Sequence, residues 1–338
     1  MIPKSGYRFS EQIMLNESTA PKRFPEWERA VRPPVPLPPP KACDCQAHIF
    51  GDLSKYPTQP GAAYIPPAAS FDDLRAVERT LGFARFVIVH STLYGPDHRL
   101  AIETLESLPD RSHIRLIARV DDTTSDAEIE RLHALGCRGV RFGFRHDLPR
   151  PLSFDTVLRT ADRVRGLGWH LRLHFLRGTL MENAERLKTI RGIPLVTDHL
   201  GYPDPALGAA DPACRFLVER LAHDPDWWVM LSNGNRLSAM DAGWDDTVPI
   251  ARAYIDAAAD RVVWGSDWPH VQWRKPRMMN DGEVVELLYR YADNDQALIR
   301  KILVDNPALL HGFDGDAEGA PPRTDPARTA GTLRPRGC

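Results

Sequence analysis

Residues 261–270 read Arg-Val-Val-Trp-Gly-Ser-Asp-Trp-Pro-His, an apolar run that passes directly into turn-forming and charged residues. A short apolar run bounded by such residues predicts a buried strand with polar side chains at its end. The same pattern recurs along the chain, with amphipathic segments between its copies. Short apolar strands that alternate with helices are typical of a parallel sheet.

Eight segments have this strand pattern. They are residues 42–50, 84–89, 114–120, 139–144, 169–175, 194–198, 227–231 and 261–266. The helices predicted between and after them are 70–81, 97–108, 125–135, 154–167, 180–190, 212–222, 248–258, 282–291 and 296–304. Eight strand–helix units predict an α/β fold, the closed (β/α)8 TIM barrel, rather than an open Rossmann sheet. No Gly-x-Gly-x-x-Gly follows the first strand, which argues against dinucleotide binding.

Proline divides the chain into three parts. Thirteen of the 30 prolines lie in the first seventy residues, and the run 31–40 can form neither a helix nor an inner strand. We therefore predict an extended Pro-rich arm over residues 1–41. A single barrel domain over residues 42–313 has about the ~250 residues that such a barrel needs. Residues 314–338 lack apolar periodicity and are expected to form a flexible tail.

Composition excludes several classes of partner. The formal net charge of -2 gives no sign of the basic surface that nucleic acids require, and no apolar stretch is long enough for a membrane span. We expect a cytoplasmic protein, because residues 1–16 lack a signal-like apolar core and the five cysteines are scattered. The expected partner is a small-molecule substrate, bound by a monomer or a small homo-oligomer.

Polar side chains follow the predicted strands at the edge where a barrel carries its active site. In Gln46-Ala-His48 the spacing of two residues places both polar side chains on one face of the first strand. The other polar positions are His90, Thr92, Arg141, Arg145, His174, Asp198, His199, Asn233, Arg236, Asp267 and His270. Histidines and a carboxylate at one barrel mouth suggest hydrolysis, with the carboxylate as base and the imidazoles polarising a carbonyl or holding a metal.

Six separated motifs, taken together, resemble the amidohydrolase superfamily. They are Asp44-Cys-Gln-Ala-His48-Ile-Phe-Gly51, residues 81–89, Gly139-Val-Arg141-Phe-x-Phe144, Asp198-His199-Leu-Gly201-x-Pro203-Asp204, Trp264-Gly-Ser-Asp267-Trp-Pro-His270 and Asn306-Pro-Ala-Leu-Leu-His-Gly-Phe313. More narrowly, they resemble the branch that contains the 2-pyrone-4,6-dicarboxylate lactonases, over about residues 42–313. The resemblance implies a hydrolase that opens a lactone of a small carboxylated compound, as in the catabolism of aromatic compounds.

The resemblance also implies roles for individual residues. Asp267 would activate water, while His48 and His199, with His174 beside them, would polarise the lactone carbonyl. Arg141 and Arg236 match family arginines that bind substrate carboxylates, which suits a bidentate guanidinium. The further candidates for substrate contact are Gln46, Thr92, Arg145, Tyr202 and Trp268.

The chain departs from the family pattern at the metal ligands. Gln46 replaces the first histidine of the superfamily's His-x-His pair, and an amide is a poor zinc ligand. Because the lactonases also work without a required metal, we expect no cofactor. The alternative is one zinc ion held by His48, His174, His199 and Asp267, since metal-dependent relatives have a histidine where His174 stands.

A second departure concerns the substrate anchors. Tyr202 and Asp147 stand where the lactonases have arginines, so we expect a substrate with one carboxylate rather than the pyrone dicarboxylate itself. Two other functions stay open. The chain could be a decarboxylase or lactone isomerase of the same branch, or a ligand-binding barrel without catalysis, which the glutamine at position 46 would suit.

Overall fold

The computed structural model describes residues 21–62, 64–144 and 152–313. One parallel sheet contains eight strands in the order of the sequence. The strands are β1 Cys43–Ala47, β2 Arg85–Val89, β3 Ile114–Ala118, β4 Cys137–Phe144, β5 His170–Phe175, β6 Leu195–Thr197, β7 Trp227–Leu231 and β8 Val262–Trp264. The sheet closes just beyond β8, where Asp267 N donates to Gln46 O and His48 N donates to Trp268 O, both at 2.8 Å. The predicted TIM barrel is confirmed.

Helices lie between the strands and after β8, close to where the sequence predicts them, except for two short helices that it does not predict. The helices are α1 Phe71–Leu81, α2 Arg99–Glu106, α3 Asp126–Ala134, α4 Phe154–Arg165, α5 Thr179–Leu187, α6 Pro212–His223, α7 Gly234–Leu237, α8 Val248–Ala258, α9 Asp281–Tyr291, α10 Gln296–Arg300 and α11 Asn306–His311. The two that the sequence does not predict are α7 and α11. The helix predicted over 296–304 ends at Arg300, and the π-helical turn Lys301–Asp305 joins it to α11. Each described helix is too short or too polar to cross a membrane.

A cluster of apolar side chains fills part of the barrel interior. Its apolar side chains come from alternate positions of six strands: Cys43, Cys45, Val87, Val89, Ile117, Val196, Trp228, Met230 and Val263. Ala308 and Leu310 of α11, with Phe313, belong to the same cluster and close the end where the strands begin. Polar side chains are buried at this end too, where the guanidinium groups of Arg85 and Arg115, at the starts of β2 and β3, lie over the ring of Phe313.

An irregularity in β1 turns the side chain of Gln46 into the barrel. The register against β2 shifts between Asp44 and Ala47, so Gln46 faces the interior beside Cys45. The Asp44 carboxylate, by contrast, accepts hydrogen bonds from Gln46 N at 2.9 Å and Ser266 N at 3.0 Å. It thereby joins β1 to the segment that follows β8, and fixes the two polar motifs relative to one another.

The described part of the Pro-rich arm, residues 21–41, lies against the barrel. The Arg32 guanidinium donates to both carboxylate oxygens of Glu286 in α9, at 2.6 and 2.8 Å. Tyr289 of the same helix donates from its hydroxyl to Pro36 O at 2.9 Å. The first twenty residues of the predicted arm and all of the predicted tail lie outside the described residues.

The contact between β1 and β8 predicts the effect of one substitution. An added Cβ at Gly265 would lie 2.3 Å from the Cβ of Gln46, so Gly265→Ala should force the two strands apart. We expect a loss of about 1–3 kcal/mol in the free energy of unfolding, as in other overpacked cores, measured by urea denaturation. Gly166→Ala is the matched control, since an added Cβ there meets nothing within 4 Å. Equal stability of the two variants would contradict the assigned contact.

Candidate active site

A cavity opens at the ends of the strands, and most of the predicted site residues lie in its wall. They are His48, Thr92, Arg141, His174, His199, Tyr202, Arg236 and Asp267. Residues from the segment after β1, among them Gln59 and Tyr64, complete one side of the wall. The predicted contact Arg145 lies outside the described residues.

Asp267 is held at this mouth by donors on both of its oxygens. Gln46 Nε2 donates to Oδ1 at 3.1 Å, and Asn233 Nδ2 donates to Oδ2 at 2.8 Å. Burial opposes ionisation of this carboxyl, but the imidazoles of His199 and His48 and the Arg236 guanidinium outweigh it. The pKa of Asp267 therefore lies well below its ordinary value, and the group is a carboxylate at neutral pH.

The orientation of His48 is fixed by the backbone of β2. Its Nδ1 lies 2.7 Å from Val89 O, to which it donates a hydrogen. In the neutral ring Nε2 is then an acceptor, and it lies 3.3 Å from both Gln46 Nε2 and Asp267 Oδ1. His48 can therefore accept a proton at the same place where Asp267 would release one.

Gln46 contacts other protein groups rather than facing the cavity. The side chain is fully buried, and its Oε1 accepts a hydrogen bond from the guanidinium of Arg172 on β5. This bond orients the amide so that its NH2 group faces Asp267. The sequence suggests a substrate contact for Gln46, whereas the structure shows hydrogen bonds to the neighbouring Asp267 and Arg172.

Asp198, at the end of β6, pairs with two buried arginines. Its Oδ1 accepts from Arg172 Nε at 2.7 Å, and its Oδ2 accepts from Arg141 Nε at 2.8 Å. Arg172 and Asp198 are fully buried, and Arg141 is nearly so. Burial works against ionisation of Asp198, but the two guanidinium groups more than offset it, so its pKa lies below its ordinary value.

His199 stands between this charge cluster and Asp267. Its Nδ1 lies 2.8 Å from Ser232 Oγ, and its Nε2 lies 3.2 Å from an NH2 group of Arg141. Because a guanidinium can only donate, Nε2 accepts and the hydrogen of the neutral ring lies on Nδ1, toward Ser232 Oγ; Asn233 Nδ2 lies 3.1 Å from the same Nδ1. Burial lowers the pKa of His199 to about 4, so the ring is neutral at neutral pH.

Three site residues adopt a backbone conformation that side chains other than glycine seldom take. The φ angles are 54° at His199, 58° at Asn233 and 62° at Asp267, each at the end of a strand or just after it. Such left-handed residues cost energy and recur at functional sites. Here they turn the chain abruptly after the strand, which points the three side chains into one mouth.

Arg236 supplies a positive charge without an acidic partner. Its guanidinium donates to Val271 O at 2.9 Å and Gln272 O at 3.2 Å. Among the described residues no carboxylate lies within ion-pair distance of Arg236, and its buried Nε has no acceptor. A guanidinium held by neutral carbonyls in a cavity wall is well placed to bind an anionic group of a ligand.

His174 and Tyr202 form one aromatic face of the cavity. The ring centroid of His174 lies 4.9 Å from that of His199, in an edge-to-face arrangement, and 6.2 Å from that of Tyr202. His174 is thus placed in the mouth, as predicted, through ring packing against His199.

The residues suggested for zinc do not fit a metal ion. Among the described residues, no three His, Cys, Asp or Glu side chains are arranged to hold one. His199 Nε2 faces the cationic Arg141, and Gln46 stands where a ligating imidazole would be needed. A second positive charge beside a guanidinium would be repelled.

Trp268 requires a correction. The sequence suggests a substrate contact, but the ring is fully buried and packs edge-on against Trp27, with the centroids 4.9 Å apart. Trp268 is not among the residues that line the cavity. Trp27, which packs on the Trp268 ring, belongs to the Pro-rich arm, and the strand–helix pattern of the barrel does not predict where the arm lies.

The sequence analysis does not identify two residues of the site, Arg172 and Ser232. It places Asp198 and Asn233 at strand ends but gives them no role in the site. Asp198 and Asn233 stand in polar strand ends, and a buried arginine such as Arg141 needs an acidic partner. Only the spacing of alternate residues in β5 could have pointed to Arg172, which lies two residues before His174.

The charge cluster predicts a large effect of Asp198→Asn. The substitution leaves two buried guanidinium groups without a negative partner, which should lower the free energy of unfolding by about 3–5 kcal/mol. Urea denaturation measures the loss. Asp122→Asn is the matched control, because Asp122 pairs with Arg159 on the exposed surface, and this variant should unfold nearly as the wild type does. Similar midpoints for the two variants would contradict the assigned role of Asp198.

Known proteins resemble this chain over most of its length. The amidohydrolase family model matches residues 43–313. A 4-sulfomuconolactone hydrolase of Hydrogenophaga intermedia is 34% identical over 81% of this chain and 89% of its own length. A 2-pyrone-4,6-dicarboxylate hydrolase of Comamonas testosteroni is also 34% identical, over 80% and 90%. A solved Agrobacterium tumefaciens structure, 24% identical, has the same fold with a TM-score of 0.72 and covers 82% of this chain and 98% of its own. The chain therefore belongs to the amidohydrolase family.

Proposed function

We propose that this protein hydrolyses a lactone of a small carboxylated compound, with Asp267 as the base that activates water. The observation that carries the proposal is the position of the Asp267 carboxylate, which is held by the amides of Gln46 and Asn233 at the barrel mouth and shares the cavity wall with Arg141 and Arg236. The lactone hydrolases among its relatives support the same reaction.

The positions of these residues suggest how the steps proceed. Asp267 takes a proton from water while the water oxygen forms a bond to the lactone carbonyl carbon. Negative charge then develops on the carbonyl oxygen, and a preorganised positive group lowers that barrier. The intermediate collapses with cleavage of the ring C–O bond, and the leaving oxygen takes the proton from Asp267, directly or through His48.

Arg141 is the group best placed to stabilise the negative charge. The rings of His48 and His199 direct their Nδ1 atoms to Val89 O and Ser232 Oγ, away from the cavity. A guanidinium stays protonated throughout the working pH range, and that of Arg141 lines the cavity. We therefore assign polarisation of the carbonyl to Arg141, with His199 holding its NH2 group in place.

The same site suggests a substrate with one carboxylate. Arg236 has no acidic partner in the described residues and would bind this group, while the Thr92 and Tyr202 hydroxyls offer neutral hydrogen bonds. A pyrone dicarboxylate would need a further cation for its second carboxylate.

Catalysis without a metal is part of the proposal. It is supported by the charge of Arg141 next to His199 and by the amide at position 46.

The cellular location is also a proposal. Free Cys43 and Cys45 have sulfur atoms 3.8 Å apart and not bonded, which suits the reducing cytoplasm. For the assembly, we propose a monomer or a small homo-oligomer.

A panel of lactones with one or two anionic groups tests the function. Mass spectrometry should show a gain of one water for a lactone with one carboxylate, and Asp267→Asn should lower kcat by roughly a thousandfold or more because the base is lost. Asp267→Asn should keep its fold, which circular dichroism checks.

Each other outcome has its own meaning. Release of carbon dioxide would identify a decarboxylase, a product of unchanged mass an isomerase, and binding without turnover a ligand-binding barrel. Efficient turnover of 2-pyrone-4,6-dicarboxylate would contradict the expected substrate class. Stoichiometric zinc, with activity lost on chelation and restored by zinc, would contradict catalysis without a metal.

A further inference from the structure

The arm reaches the segment that carries the catalytic carboxylate. Trp27 is nearly fully buried, and its ring packs edge-on against Trp268, the residue directly after Asp267. Its Nε1 donates to Ala68 O at 3.1 Å, in the segment between β1 and α1. Trp27 therefore touches two sides of the barrel mouth at once.

Residues before Trp27 hold the segment after β1. Lys22 forms a parallel bridge with Tyr64, and Ile65 N donates to Lys22 O at 3.0 Å. The ring of Phe24 meets that of Tyr64 edge to face, with the centroids 6.2 Å apart. Because Tyr64 lines the cavity, the arm supports one part of the cavity wall.

Residues after Trp27 are fixed to the segment that follows β8. Arg32 N donates to Asn280 Oδ1 at 3.0 Å, and Asn280 Nδ2 donates to Ala30 O at 2.9 Å. Asn280 caps α9, whose first residue, Asp281, accepts a hydrogen bond from His270 Nε2 at 2.7 Å. The arm thus binds the two segments that flank the base.

Trp268 links this support to the reacting groups. Its carbonyl oxygen accepts from His48 N at 2.8 Å, and its amide donates to Ser266 Oγ at 3.0 Å. A shift of the Trp268 ring would therefore move the backbone next to Asp267 and His48. Small displacements of a catalytic group reduce the rate strongly, because the reacting atoms must approach to within about 3–3.5 Å.

We propose that residues 22–32 form a strap across the barrel mouth, and that Trp27 is a positioning residue that acts through Trp268 on Asp267 and His48. The strap lies outside the stretch 43–313 that the amidohydrolase family model matches. The kinetic part of this inference rests on the proposed lactone hydrolysis, whereas the structural part does not.

Trp27→Ala tests the strap through two independent measurements. Loss of the ring leaves space behind Trp268, so kcat should fall about tenfold while KM changes less, since Trp268 directly follows Asp267 whereas the carbonyls that hold Arg236 belong to Val271 and Gln272. Hydrogen exchange of the backbone over residues 264–272 should become faster. Trp27→Phe keeps an aromatic ring in the same place and should restore most of both properties.

Leu105→Ala is the control for a general loss of stability. Leu105 is fully buried on α2, so this variant should lower the melting temperature without changing kcat or exchange over 264–272. If Trp27→Ala does not fold, Trp27→Leu gives the same comparison with a smaller cavity. Unchanged kcat and unchanged exchange in the Trp27 variants, or equal effects in Leu105→Ala, would overturn the proposal. If the wild type opens no lactone, the proposed function fails, and the exchange data still decide on the strap.

Discussion

The Asp198 carboxylate, buried between two guanidinium groups, is the interaction on which the arrangement of the site depends. Through Arg172 it fixes the amide of Gln46, which donates to Asp267. Through Arg141 it fixes the cation beside His199. Two buried cations would be very costly without this partner. One carboxylate therefore sets the positions of both the base and the positive group that the reaction needs.

The same surroundings that keep Asp267 ionised also weaken it as a base. Against the opposing effect of burial, His199, His48 and Arg236 lower the pKa of this carboxyl, and a lowered pKa reduces its affinity for a proton. A weak base is adequate only if the carbonyl is strongly polarised, which is the role that we assign to Arg141. The sharp turns at His199, Asn233 and Asp267 add conformational strain, which the surrounding barrel must offset.

Much of this could be predicted from sequence, because barrel geometry is periodic. Strand ends bring His48, His199 and Asp267 to one mouth whatever the details of packing. The pairing of Arg141 with Asp198 was harder to predict from the sequence. It depends on the registers of β4 with β5 and of β5 with β6, which pair Arg141 with Arg172 and Leu173 with Thr197. The substrate contact expected of Trp268 was wrong for a similar reason. Its ring is covered by Trp27, which lies 241 residues away along the chain, and no local pattern encodes such a contact.

The central claim is that a carboxylate held ionised by fixed donors performs the proton transfer, without a metal and without an imidazole base. The dependence of kcat/KM on pH tests it most directly, because this quantity reports the ionisation of the free enzyme. We predict a level profile from about pH 8 down to about pH 5. The rate should fall only where His199 gains a proton, near its pKa of about 4. An acid limb with an apparent pKa of about 6–7, the range of an ordinary imidazole, would contradict the account.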